Sequence, residues 1–167
     1  MSPLVNKAFI AAEAIDLILA EVIQEQDRLN IFARARQEAN RLNLPLVNYG
    51  CQTSEPYISQ SDLNLDIIQR NVPNFELIPP DGQIPLPDNS AVIFASHVLE
   101  HVNNPDKVLE DMTRVGPTYI ALPKWWNIQN WISPRHKWLF TKYGAIATPS
   151  EFALPLFIGI NLLNLST

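Results

Sequence analysis

Two of the three histidines in the chain, His97 and His101, flank Glu100 in the spacing H-x-x-E-H. Two imidazoles and a carboxylate so spaced can bind zinc and activate water when all three lie on one helix. Here His97 stands, with only Ser96 between, after an unbroken apolar run, Ala91-Val92-Ile93-Phe94-Ala95, which reads as a strand covered on both faces. A strand ends where that helix would have to begin, so no metal is expected. A second concentration of chemistry-bearing side chains is Trp125, Trp126, Trp131 and Trp138, interleaved with Lys124, Arg135, His136 and Lys137. Such a cluster can wall an aromatic pocket, form an apolar lid, or lie as a belt at a bilayer surface. Aromatics also stack nucleic-acid bases. The net charge of -5, however, opposes a phosphate backbone, and no nucleic-acid partner is expected. The single cysteine, Cys51, excludes an intramolecular disulfide and a cysteine-only zinc site, and fits a reducing compartment.

These side chains need elements to position them. Residues 3–43 contain no glycine and no internal proline and are rich in helix formers, which predicts one long N-terminal helical segment. Its second half carries a narrow apolar stripe, Leu29, Phe32, Ala35, Ala39 and Leu42, as a helix packed on a domain does. Its first half is broader in its apolar face, with Phe9, Ile10, Ile15, Ile18, Leu19, Val22 and Ile23. That face suits burial against the core or a second subunit, or an interfacial position on a membrane.

Short apolar runs separated by turn residues follow. Residues 44–49, 57–65, 75–78, 91–95 and 118–122 read as strands, and 104–114 reads as a helix. The pattern is α/β. We expect an N-terminal helical segment (1–43), an α/β core (44–124), and a Trp/basic segment with an apolar tail (125–167). Fourteen prolines against five glycines is an unusual balance for a nucleotide-binding α/β domain. The chain start lacks a secretory-signal pattern, and the apolar stretches are too short or too charged to span a bilayer. A cytoplasmic location, with peripheral membrane contact as an option, is therefore expected.

The turn Pro87-Asp88-Asn89-Ser90, the buried strand after it, and the exit Ser96-His97-Val98-Leu99-Glu100-His101 resemble class I S-adenosylmethionine-dependent methyltransferases of the quinone-biosynthesis type. Leu46-Val47-Asn48-Tyr49-Gly50-Cys51 is similar to the first strand of that family and the opening of its glycine-rich loop. The resemblance implies a reduced Rossmann-like sheet that binds S-adenosylmethionine at its strand ends. It assigns Gly50 to the cofactor loop, Asp62 to the ribose hydroxyls and Asp81 to the adenine amino group. His97 would line the cofactor or substrate side as the candidate catalytic residue, with Glu100 or His101 as a weak acid or base. For the aspartates, a turn or capping role is the competing reading. The sequence departs from the family after Gly50-Cys51, where Gln52-Thr53-Ser54-Glu55-Pro56 replaces further glycines. The stretch from Gly50 to Asp62 also leaves little room for a crossover helix.

Two functions follow from this reading. One is a methyltransferase acting on a small or lipid-like acceptor. The other is a non-catalytic methyltransferase-fold module serving membrane association or oligomerisation. For the second, the contact surface would be the run from Ala8 to Ile23, the segment from Trp125 to Trp138 and the run from Phe152 to Leu165, with a homo-oligomer as one outcome.

Overall fold

The computed structural model describes residues 3–53, 55–79, 83–123, 135–141 and 144–147, with side chains described from residue 22 onward except at 139, 141 and 144–147. The chain opens with the 40-residue helix α1 (Pro3–Leu42). Then come β1 (Leu46–Tyr49), β2 (Leu63–Asp66), β3 (Phe75–Leu77), β4 (Val92–Ser96), helix α2 (Pro105–Val115) and β5 (Thr118–Ala121). The strands β6 (Trp138–Thr141) and β7 (Gly144–Ala147) form a separate antiparallel pair. Asp81, Trp125, Trp126, Trp131 and the apolar run from Phe152 to Leu165 lie outside the described residues, as do the side chains of α1 before Val22.

The first five strands make one sheet in the order β3-β2-β1-β4-β5, with every neighbouring pair parallel. This is the mixed α/β, reduced Rossmann-like sheet expected from the sequence, with a long helix in front of it. Side chains of a strand alternate between faces, and β4 shows the division. Val92 and Phe94 join Phe32, Ala35 and Ala39 of α1 on one face. Ile93 and Ala95 join Met112 and Val115 of α2 on the other, together with Leu99, Ile78, Ile84 and Phe140. All of these are buried, so β4 is apolar throughout because both of its faces are covered.

Alanine at 35 and 39 lets the backbone of α1 lie close to the sheet, and both residues are fully buried. Phe32 then packs edge-on against both Tyr57 and Phe94, with ring centroids 5.1 Å and 5.0 Å away. Edge-to-face pairs of this kind add about 0.5–1.5 kcal/mol each beyond their buried area. The helix stops at Asn43, whose φ of 55° is the left-handed conformation typical of a helix end. Helix α2 begins with its own cap: Asn104 accepts from the Lys107 N–H, and Pro105 follows in the first turn.

The strand expected over residues 57–65 is shorter and later than its sequence pattern suggests. Residues 57–60 form turns, and β2 starts at Leu63. The reason is Tyr57, which leaves the strand pattern to stack on Phe94 with centroids 5.3 Å apart. The Ser61 hydroxyl closes the turn by donating to the Tyr57 carbonyl at 2.6 Å. Among the described residues between β1 and β2 there is no helix, and the turn region itself covers the sheet there. Beneath it, the buried Asn48 and Asn64 side chains bond to each other at 3.0 Å, and Asn64 donates to the Ile58 carbonyl at 3.1 Å. No helix among the described residues is long and apolar enough to cross a membrane.

Candidate functional site

The parallel register brings the carboxyl ends of β1, β2 and β4 to one edge, with Tyr49 opposite both Leu65 and Ala95. Strand order reverses between β1 and β4, and an open α/β sheet places its ligand crevice outside the strand ends at that point. Gly50 follows β1 and His97 follows β4. Both adopt left-handed backbone, with φ of 72° and 55° respectively. At Gly50 the approach is also tight: an added Cβ would come within 2.4 Å of Val98 Cγ2. Glycine is therefore required here by conformation and by space.

A cleft of about 560 Å³ runs along this edge, lined by Tyr49, Gly50, Asp66, Ile68, His97 and His101, among others. A smaller cavity of about 170 Å³ lies on the α1 side, where Arg28, Tyr57 and Ser96 face Gly50, His97 and His101. His97 and Gly50 border both. The Ser96 hydroxyl in the smaller cavity is buried and makes no hydrogen bond.

Asp62 is not part of this edge. It stands at the opposite, amino end of β2, where it accepts from the Leu46 N–H at 2.8 Å and from Arg36 at 2.7 Å. The ribose assignment for Asp62 is thus corrected, because a strand of four residues separates the carboxylate from the carboxyl edge. The acidic residue at that edge is Asp66, the last residue of β2 and nearly buried. Asp66 accepts from the N–H groups of Gln52 at 3.3 Å and Ile68 at 3.0 Å, and from Arg70 Nε at 3.0 Å. The sequence carried a signal for it: apolar Leu63 and Leu65 alternate through the strand, and Asp66 terminates the pattern whereas Asp62 precedes it. Asp81, the adenine candidate, lies outside the described residues.

The loop after β1 spends its amides within the protein. Gly50 and Cys51 both donate to the Leu65 carbonyl, at 2.8 Å and 3.1 Å. Burial pushes the Cys51 thiol up to about 11. His97 is held from two sides. Its Nε2 lies 2.7 Å from the Gln24 amide nitrogen of α1, and its Nδ1 lies 3.4 Å from Glu100 Oε1. Burial, with Arg28, His136 and His101 adding to it, pulls the His97 pKa down to about 4. Glu100 is fully buried, neither carboxylate oxygen makes a hydrogen bond, and burial pushes its pKa up to about 8. Both shifts favour the uncharged form of the group. Gln24 and His136 were not legible as site residues, because each comes from a segment far from the strand ends in sequence.

Fold and edge geometry together define a Rossmann-like domain with a ligand crevice at its switch point. Residues 44–116, from before β1 to the end of α2, match the family model described as "Methyltransferase domain". Over that stretch the chain is methyltransferase-like, which supports the class I S-adenosylmethionine-dependent group. Comparison with curated proteins and with solved structures finds no match.

Proposed function

We propose that the protein is an S-adenosylmethionine-dependent methyltransferase of the quinone-biosynthesis type, acting on a small or lipid-like acceptor. The observation that carries this reading is the meeting of Gly50, Asp66 and His97 at the switch point, on a cleft of about 560 Å³, within the range of roughly 300–1,000 Å³ usual for cofactor sites. The residues fit the cofactor in three respects: the cleft is large enough, Asp66 offers a carboxylate at the end of β2, and the unbonded Ser96 hydroxyl faces the adjoining cavity. S-adenosylmethionine, when bound, supplies an electrophilic methyl group. Asp66 would hold the ribose hydroxyls, and Gly50 would keep the loop close to the crevice. His97, uncharged at neutral pH, would orient the acceptor in the smaller cavity and take its proton on Nε2 once Gln24 releases that atom. Ile67 and Ile68, exposed at 48% and 55% beside the cleft mouth, favour an acceptor with an apolar part.

One observation favours a second reading. The Gly50 and Cys51 amides turn inward to the sheet, leaving fewer backbone donors for a cofactor than a glycine-rich loop offers. A non-catalytic module would then use the fold for contact with a membrane or partner chain, through residues 8–23, 125–138 and 152–165. Val22 and Ile23, exposed at 60% and 50%, belong to that surface. Calorimetry of S-adenosylmethionine on the purified chain separates the two. One-site binding, with about 2.7 kcal/mol added to stability at a hundred times the dissociation constant, supports the enzyme. No heat at millimolar cofactor supports the module, for which flotation with liposomes and analytical ultracentrifugation then name the partner.

A further inference from the structure

The carboxylate of Glu100 is fully buried, and neither of its oxygens makes a hydrogen bond. A buried carboxylate without donors is costly. Around it stand all three histidines of the chain. His97 Nδ1 is 3.4 Å and His101 Nε2 is 3.9 Å from Glu100 Oε1. The third, His136, reaches the site from the segment leading into β6, more than thirty residues later. That segment is anchored to the site itself, since the Lys137 N–H donates to the Glu100 carbonyl at 2.6 Å and the Trp138 indole donates to the Val102 carbonyl at 2.9 Å.

We propose that Glu100, His101 and His136 form a site for one divalent transition ion of the zinc class, with a fourth position open toward the cleft. Ligand atoms of the three residues lie within 4.8 Å of one another. Tetrahedral zinc with bonds of about 2.0–2.2 Å sets its ligands roughly 3.3–3.6 Å apart. Closing the site shortens the longest of these separations by at most about 1.5 Å. The tautomer of His101 is already set for it. Its Nδ1 lies 3.0 Å from the Arg135 carbonyl, an oxygen that can only accept, so Nδ1 carries the proton and Nε2 presents its lone pair toward Glu100. A backbone carbonyl accepting from the other ring nitrogen is the usual companion of a zinc-bound imidazole. His97 is a positioning residue: the Gln24 amide donates to its Nε2, which turns the Nδ1 proton toward the carboxylate. The H-x-x-E-H spacing argued against zinc only for ligands on a single helix. Here Glu100 and His101 lie in the turn after β4, and the third ligand is supplied by tertiary structure.

Access is from the cleft side, where the His101 side chain is 37% exposed. His101 lines both cavities, so the open position faces the space an acceptor would occupy. The site stands whether or not the protein transfers methyl groups.

The test is a calorimetric titration of the untagged full chain with Zn²⁺, and a parallel titration with Co²⁺ read by its visible bands, both without S-adenosylmethionine. The expected result is one equivalent bound, with the intense bands of four-coordinate cobalt. His101→Ala and His136→Ala should each weaken binding by about 100-fold or more, since outer-shell changes alone cost about 10–100-fold. Glu100→Gln, which keeps the shape, should do the same. His136 is only partly buried, so His136→Ala keeps the test valid if Glu100→Gln does not fold. Cys51→Ser should bind as the unaltered chain does. Absence of stoichiometric zinc overturns the proposal, as does unaltered affinity in both histidine variants or loss of binding in Cys51→Ser.

Discussion

Gly50 and Val98 are in direct opposition across the strand ends: a single carbon added to Gly50 would lie 2.4 Å from Val98 Cγ2. The loops after β1 and β4 are thereby locked together at the switch point. Gly50→Ala should cost about 1–3 kcal/mol, from the left-handed backbone and from overpacking combined. Urea denaturation of the variant beside the parent chain measures this. A loss below a few tenths of a kcal/mol would mean that the Val98 loop yields freely.

The two aspartates of the β2 region should behave oppositely toward the cofactor. Asp66→Asn removes a charged acceptor at the crevice, and hydrogen bonds to charged groups contribute about 1.5–3 kcal/mol. S-adenosylmethionine affinity should therefore fall about tenfold or more. Asp62→Asn, at the far end of the strand, should leave it unchanged. Reversal of this order in calorimetry would return the ribose role to Asp62.

Asp62 has a different role, which pH exposes. Burial alone would raise its carboxyl pKa, but the Leu46 N–H and the Arg36 guanidinium outweigh burial and hold it below the ordinary carboxylate value. A depressed folded-state pKa contributes stability in full above the unfolded value, and that contribution is lost as pH falls through the folded one. The stability difference between the parent chain and Asp62→Asn should thus be constant near neutral pH and shrink in acid. Denaturation at neutral pH and at two acid pH values checks the trend, and a gap that widens in acid refutes it.

Phe32 ties α1 to the sheet through Tyr57 and Phe94. Phe32→Ala should cost about 3–5 kcal/mol. Gln24 rides on the same helix, so the contact of Gln24 with His97 should loosen too. The chemical shifts of the His97 ring, followed by NMR, report that second effect, which a merely local cavity would not produce.

Much of this architecture follows from local pattern. Ala91 to Ala95, apolar without interruption, has to be a covered strand, and Asn104, Pro105 and Gly116 mark the limits of α2 by capping chemistry alone. The stripe Leu29, Phe32, Ala35, Ala39 and Leu42 announces a helix face because helical period is visible in any sequence. Gly50 and His97 were legible as edge residues because each stands just past a stretch that reads as a strand. Which end of β2 meets the crevice was legible only in part: the Leu63/Leu65 alternation starts after Asp62 and ends at Asp66, but the parallel pairing of β2 with β1 is what sets Asp66 at the crevice. Tyr57 likewise fits a strand pattern until Phe32 and Phe94 offer it a better place. The grouping of His136 and Gln24 around Glu100 and His97 arises from long-range packing, which carries no sequence period. Local propensity and burial pattern therefore determined the elements, whereas the composition of the site was decided by the tertiary structure, since it depends on contacts between segments that do not adjoin in the chain.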